Sequence, residues 1–160
     1  MSSVEQRPPF QELGMWQKDQ LDRIVKADDL RISPFRDDRK TYGTPTWIWC
    51  VQVGGELYVR GYNGTASRWY QAAVKQRAGR ISAAGSVIDV SFEPVSGQVN
   101  DGIDEAYKAK YHASPYLRPM ISDRARAATV KVVPRDVSTG ETGQAIPGLL
   151  SQNSSEGTSL

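Results

Sequence analysis

The sequence predicts an α+β domain built on an antiparallel sheet or small barrel, and three observations carry that expectation. Apolar residues recur at helical spacing in three segments and alternate at strand spacing in the others, giving the order helix, strand, hairpin, helix, hairpin, helix, strand. The strand pairs are joined through glycine turns, Gly54-Gly55 and Ala84-Gly85-Ser86, short enough for antiparallel neighbours. A length of 160 residues with 39% hydrophobic content supports one ordinary core.

Trp16, Leu21, Ile24 and Val25 stand close to helical spacing, which predicts an amphipathic helix over residues 17–27. Residues 30–33 form a short strand, and residues 34–44 a charged loop that closes on Tyr42-Gly43 before Pro45. Two runs rich in β-branched and aromatic residues, TWIWCVQV from Thr46 and ELYVRGY from Glu56, flank Gly54-Gly55 and predict a hairpin. In the first run Trp47, Trp49 and Val51 alternate to one face and Ile48, Cys50 and Gln52 to the other. Both faces are largely apolar, so this strand is expected to be central and buried on both sides.

Asn63-Gly64-Thr65 breaks the second strand, and Thr65 or Ser67 caps a helix running to residue 76, with Trp69, Ala72 and Ala73 inward. Residues 80–83 and 87–92 make the second hairpin. Asn100 or Asp101 caps a helix to residue 111 with Ile103, Ala106, Tyr107 and Lys110 on one face, and residues 128–133 form a last strand ended by Pro134. The folded domain is thus residues 15–135. A flexible arm, residues 1–14, precedes it, and a Ser-, Gly- and Thr-rich disordered tail, residues 136–160, follows.

Charge is local. The chain carries 20 Lys+Arg against 18 Asp+Glu, yet residues 57–88 contain no acid while holding Arg60, Arg68, Lys75, Arg77 and Arg80 among Tyr58, Tyr62, Trp69 and Tyr70. Lys75, Arg77 and Arg80 are explained by a helix C-terminus, where the dipole favours cations. Arg60, Asn63, Arg68 and Trp69 gather instead around the Gly61 to Gly64 turn, where freed amides, a helix N-terminus and arginines suit an anion. Trp69 also reads as a core anchor. The loop before Trp47, with Arg39, Lys40 and Thr44, offers a second anion seat.

Other classes are excluded or disfavoured. A net charge of +2 argues against nucleic acid, and no apolar run reaches the roughly 18 residues of a membrane span. A single cysteine, Cys50, permits no internal disulfide and reads as buried packing. A single histidine, His112, excludes a two-histidine metal site and reads as a capping or surface residue, and no Gly-x-Ser-x-Gly elbow occurs. Without these sets, the residues point to a reaction carried by a cofactor, or else to a protein that only binds. A cytoplasmic protein is expected.

The runs Tyr42-Gly43-Thr44-Pro45-Thr46-Trp47-Ile48-Trp49, Leu57-Tyr58-Val59-Arg60-Gly61-Tyr62-Asn63-Gly64 and Ser67-Arg68-Trp69-Tyr70 resemble the domain-of-unknown-function family numbered 2255. The likeness continues through Ala78-Gly79-Arg80-Ile81, Val90-Ser91-Phe92-Glu93 and Ala109-Lys110-Tyr111. More remotely, the Gly-Thr-Pro segment, long hairpin, Trp-bearing helix and second hairpin look like the split β-barrel proteins that bind flavin mononucleotide (FMN) or a deazaflavin. That resemblance implies an antiparallel split β-barrel with flanking helices. It also implies a homodimer with the cofactor near the subunit interface and its phosphate held by basic and hydroxyl side chains at strand ends. Arg39, Lys40 and Thr44 match the basic entry loop of the deazaflavin branch, and Asn63, Arg68 and Trp69 match its second loop and helix. Trp47 and Trp49 stand on the strand where the ring would lie. The activity so implied is a flavin- or deazaflavin-dependent, oxidoreductase-like one on a small aromatic or quinone-like substrate. The alternative from the residues alone is a cofactor-free enzyme, or a non-catalytic module, whose Trp-lined pocket takes a small aromatic anion near Arg60 and Arg68.

Overall fold

Helix α1, Lys18–Ala27, buries Leu21 and Ile24 on one stripe, the i, i+3 spacing that puts two side chains on one helical face. Asp28 ends it in the left-handed conformation at φ 54°. This is a computed structural model describing residues 15–135. The arm and tail expected above lie outside the described residues.

Seven strands follow the order β2-β1-β5-β6-β7-β4-β3 in a single antiparallel sheet. They are β1 Arg31–Pro34, β2 Thr46–Trp47, β3 Cys50–Val53, β4 Glu56–Arg60, β5 Ala78–Ala83, β6 Ser86–Pro94 and β7 Thr129–Pro134. Strands β2 and β3 end opposite sides of that order, yet only Ile48 and Trp49 separate them along the chain. Three Cα steps reach at most about 11 Å, so the sheet has to curl until its edges meet. The result is an α+β split barrel whose seam is Trp47 to Cys50.

The seam corrects one expectation. Residues 46–53 are not one central strand; β2 and β3 are the two edges, and Trp47 is 66% exposed. Two-sided burial holds only for Cys50 and Val51. Cys50 faces the barrel interior, while Val51 faces a helix packed outside, so an apolar residue is required on each side without a partner strand on each side.

The interior core contains Leu30, Ile32, Leu57, Val59, Ile81, Val90, Phe92, Val130 and Val132. Leu21 and Ile24 of α1, with Trp69 and Ala73 of α2 (Arg68–Gln76), belong to the same cluster. Trp16 seals it, its indole donating to the Val132 carbonyl at 2.8 Å. A second core lies outside the sheet, where α3, Val99–Tyr111, lays Ile103, Tyr107 and Tyr111 on Val51 and Tyr58. Strand alternation divides β4 between them: Leu57 and Val59 point inward, Tyr58 and Arg60 outward.

Two local readings shift. Helix α3 begins at Val99, so Asn100 is not its cap but a buried residue in its first turn. Arg80 lies in β5, not at the end of α2; Lys75 and Arg77 do occupy that end, and Arg77 Nε donates to the Val74 carbonyl at 2.8 Å. Cys50 is buried and His112 follows α3 as its C-cap.

Candidate functional site

The turn after β4 is shaped by two glycines that admit no side chain. A Cβ on Gly61 would stand 2.6 Å from the Ser67 hydroxyl, and Gly64, at φ 67°, would put one 2.9 Å from the Arg124 carbonyl oxygen. The chain therefore folds tightly through one 3-10 turn, Gly64–Ala66, into α2. Gln71 makes the first intrahelical bond, to the Ser67 carbonyl at 3.1 Å, so the amides of Arg68, Trp69 and Tyr70 precede it and have no helical acceptor. Ser67, 8% exposed, makes no side-chain capping bond.

This turn, the seam and the segment after α3 enclose a cavity of about 520 Å³, within the size range of small-molecule sites. Trp47, Asn63, Arg68 and Trp69 line it, as does Arg60. The indole of Trp49 also lines the wall but does not fill the space. It lies flat on Tyr111, with centroids 3.8 Å apart and planes at 4°. The Tyr111 hydroxyl donates to Asp28 Oδ1 at 2.5 Å, and Lys110 Nζ donates to the Cys50 carbonyl at 2.7 Å. Burial and the Asp28 hydrogen bond push the Tyr111 phenol well above its ordinary pKa. Trp47, although exposed, is fixed by its indole donating to the Asp28 carbonyl at 3.4 Å.

Arg60 has a different role from the anion seat expected of it. Its outward direction on β4 drives the guanidinium under α3, where its side chain has 0% exposure. Nε donates to Thr129 Oγ1 at 3.0 Å. Nη1 donates to Asp104 Oδ1 at 2.6 Å and the Met120 carbonyl at 3.0 Å. Nη2 donates to the Asn100 carbonyl at 3.2 Å and Asn100 Oδ1 at 2.9 Å. All five guanidinium donors are thereby engaged. Arg60 ties β4 to β7, α3 and the short helix α4, Leu117–Met120, and so fixes the cavity floor.

Arg68 is the reverse case. It is exposed, and among the described residues its guanidinium has no hydrogen-bond or ion-pair partner. Thr44 lies in a neighbouring cavity of about 700 Å³ that shares Thr46, Arg68 and Trp69 with the first. Arg39 and Lys40 are exposed on the same loop but line neither cavity. Trp69 is both core and wall: 8% exposed, it belongs to the interior cluster.

Sequence reasoning missed Tyr116. It is 59% exposed on the cavity rim, in edge contact with Tyr62 at 6.2 Å. Its only local signal is an aromatic after Ser114-Pro115, a turn without periodicity. Arg124, from α5 (Asp123–Arg126), lies over the Tyr62 ring at 5.6 Å. The first cavity's lining contains no carboxylate, imidazole or thiol. Among the described residues no group of three or more His, Cys, Asp or Glu side chains assembles as a metal site requires, and no helix is long and apolar enough to cross a membrane.

No curated protein matches the chain. Among solved structures it is similar to the crystal structure of conserved hypothetical protein Rv2991 from Mycobacterium tuberculosis. The identity is 13% and the TM-score 0.46, over 86% of this chain and 96% of that one. Residues 20–132 match the family described as "Uncharacterized protein conserved in bacteria (DUF2255)", a span running from α1 into β7 and including both cavities. The chain belongs to that family.

Proposed function

We propose that the 520 Å³ cavity binds a planar aromatic anion of the flavin or deazaflavin type, and that the protein is an oxidoreductase-like split barrel acting on a small aromatic or quinone-like substrate. One observation carries this reading. Of five large hydrophobic side chains exposed among the described residues, Trp47, Tyr62 and Tyr116 border this one cavity. Exposed aromatics otherwise scatter over a surface, and convergence on a concave site supplies faces and edges for a ring.

The residues fit such a group. The ring lies among the exposed aromatics, and its anionic end meets the N-terminus of α2, where the orphan amides, Ser67, Asn63 and the exposed Arg68 converge. A bound flavin or deazaflavin supplies hydride transfer, which the lining side chains do not. The protein's own contribution is to orient the ring against Trp47, hold its charge at Arg68 and narrow the access of water. A homodimer that covers the exposed Trp47 and Tyr116 completes the enclosure, and a cytoplasmic setting belongs to the same reading.

The lining's lack of a carboxylate, imidazole or thiol also favours a second reading, a cofactor-free pocket that binds an aromatic anion without chemistry. Visible absorbance of the purified protein and its thermal midpoint with FMN or a deazaflavin separate the two. The first reading predicts colour or a rise of several degrees. A colourless protein that neither compound protects, but whose tryptophan fluorescence an aromatic carboxylate such as salicylate quenches saturably, belongs to the second.

A further inference from the structure

We infer that the second cavity, of about 700 Å³ beneath the loop between β1 and β2, is an oxyanion site. It takes a carboxylate or phosphate group through Arg36 and Arg68. The inference is independent of what fills the aromatic cavity, except that Arg68 faces both.

The loop carries Arg36, Asp37, Asp38, Arg39 and Lys40 in succession, a run that would ordinarily be a mobile, solvated stretch. It is instead held at each end. The backbone closes on itself through the Arg36 amide to the Thr41 carbonyl at 2.9 Å and the Arg39 amide to the Arg36 carbonyl at 2.8 Å. Phe35 and Tyr42 stack at 4.7 Å, with Arg80 over Tyr42 at 3.7 Å and Arg135 over Phe35 at 5.7 Å. Four side chains thus clamp the loop to the barrel, the kind of preorganisation that lowers the cost of binding.

The acids of this loop are already engaged. Asp37 accepts from Lys75 Nζ at 2.9 Å and Gln76 Nε2 at 3.3 Å. Asp38 turns back onto the loop, accepting from the amides of Lys40 and Thr41 and the Thr41 hydroxyl, each at 2.9 Å. Those bonds, with Arg36 nearby, hold its carboxyl below the ordinary range, so it stays ionised and tied down. Arg36 and Arg68 are the lining cations without a hydrogen-bond or ion-pair partner among the described residues. Arg39 and Lys40 on the loop rim add to the field that draws an anion in.

The shared wall has a thermodynamic consequence. An anion that engages Arg68 from the loop side changes what Arg68 offers the aromatic side, so the two cavities are coupled, and the coupling is reciprocal.

The test is a titration of the full chain with inorganic phosphate and with malonate, followed by amide NMR shifts. Saturable shifts centred on Arg36, Thr41, Thr44 and Arg68 are expected. Arg36→Ala should weaken them about tenfold, as loss of one charge-assisted contact does, while Lys26→Ala, at an exposed cation on α1 that does not line this cavity, changes them less than twofold. Both substituted side chains are exposed, and circular dichroism checks that each variant is folded. Absence of saturable shifts in the wild type, or shifts unchanged in Arg36→Ala, overturns the inference.

Repeating the titration with FMN or riboflavin present identifies the source. If FMN suppresses the phosphate shifts and riboflavin does not, the oxyanion belongs to the ring ligand's own tail. If phosphate binds beside either compound, the oxyanion belongs to a separate small molecule. Phosphate binding by a protein that takes up neither compound upholds the site and removes the flavin reading alone.

Discussion

Arg60 and Arg68 share an acid-free stretch of sequence, and their environments separate them: Arg60 is buried and fully paired, whereas Arg68 is exposed and has no partner among the described residues. Arg60 spends its five donors on Thr129, Asp104, Met120 and Asn100. Arg60→Met should therefore destabilise the protein by about 3 kcal/mol, because it leaves the partly buried Asp104 with the longer Arg126 contact at 3.6 Å and strands the Asn100, Thr129 and Met120 acceptors; urea unfolding reads this. Arg60→Lys should recover only part, since an ammonium has three donors and no fork. Cys50 makes a second prediction at this scale. Burial pushes its thiol up to about 11, so at pH 8 about one molecule in a thousand carries a thiolate. Iodoacetamide should leave the folded protein unmodified at pH 8 and label it rapidly in urea. Because the folded thiol titrates above its unfolded value, its contribution to stability is complete below about pH 9 and is lost as pH rises toward 11.

At the scale of elements, the Gly61 to Gly64 turn decides where α2 begins and hence where the orphan amides point. Gly64→Ala meets both a left-handed φ of 67° and the Arg124 carbonyl at 2.9 Å, whereas Gly54→Ala, at φ 58°, meets nothing within 4 Å. Gly54→Ala should cost about 1 kcal/mol, the left-handed penalty alone. Gly64→Ala should cost clearly more and weaken ligand binding, and equal losses in urea unfolding would contradict the close approach. Much at this scale was legible: the three long helices, both hairpins and the last strand follow from periodicity and glycine turns. The edge position of β3 was not. Two apolar faces look alike whether a residue sits between neighbouring strands or between a barrel interior and an outer helix, and only the pairing of β4 with β7, far along the chain, tells them apart.

At the scale of the molecule, the split barrel places its seam beside its aromatic cavity. Two indoles stand there because the chain crosses from one sheet edge to the other at Trp47 to Cys50, and Asp28 holds both sides: Trp47 by its carbonyl, Trp49 through the Tyr111 ring. The sequence brought together several residues that the structure places on one cavity wall, but not what each of them contacts. Asn63, Arg68, Trp47 and Trp69 do line one cavity. The role of Arg60 was hidden because its partners Asn100 and Asp104 lie 40 or more residues away on α3, and Tyr116 was hidden because a turn has no period to read.

The most direct test of the aromatic-anion cavity is calorimetric titration of wild type, Trp47→Ala and Arg68→Ala with FMN and with a deazaflavin mononucleotide. Saturable binding with one ligand per chain is predicted for at least one compound, weakened about tenfold by each substitution, or about 1.4 kcal/mol. Urea stability should stay within about 0.5 kcal/mol, because both side chains are exposed. Absence of saturable heat with either compound, or equal affinity in folded Trp47→Ala, would contradict it.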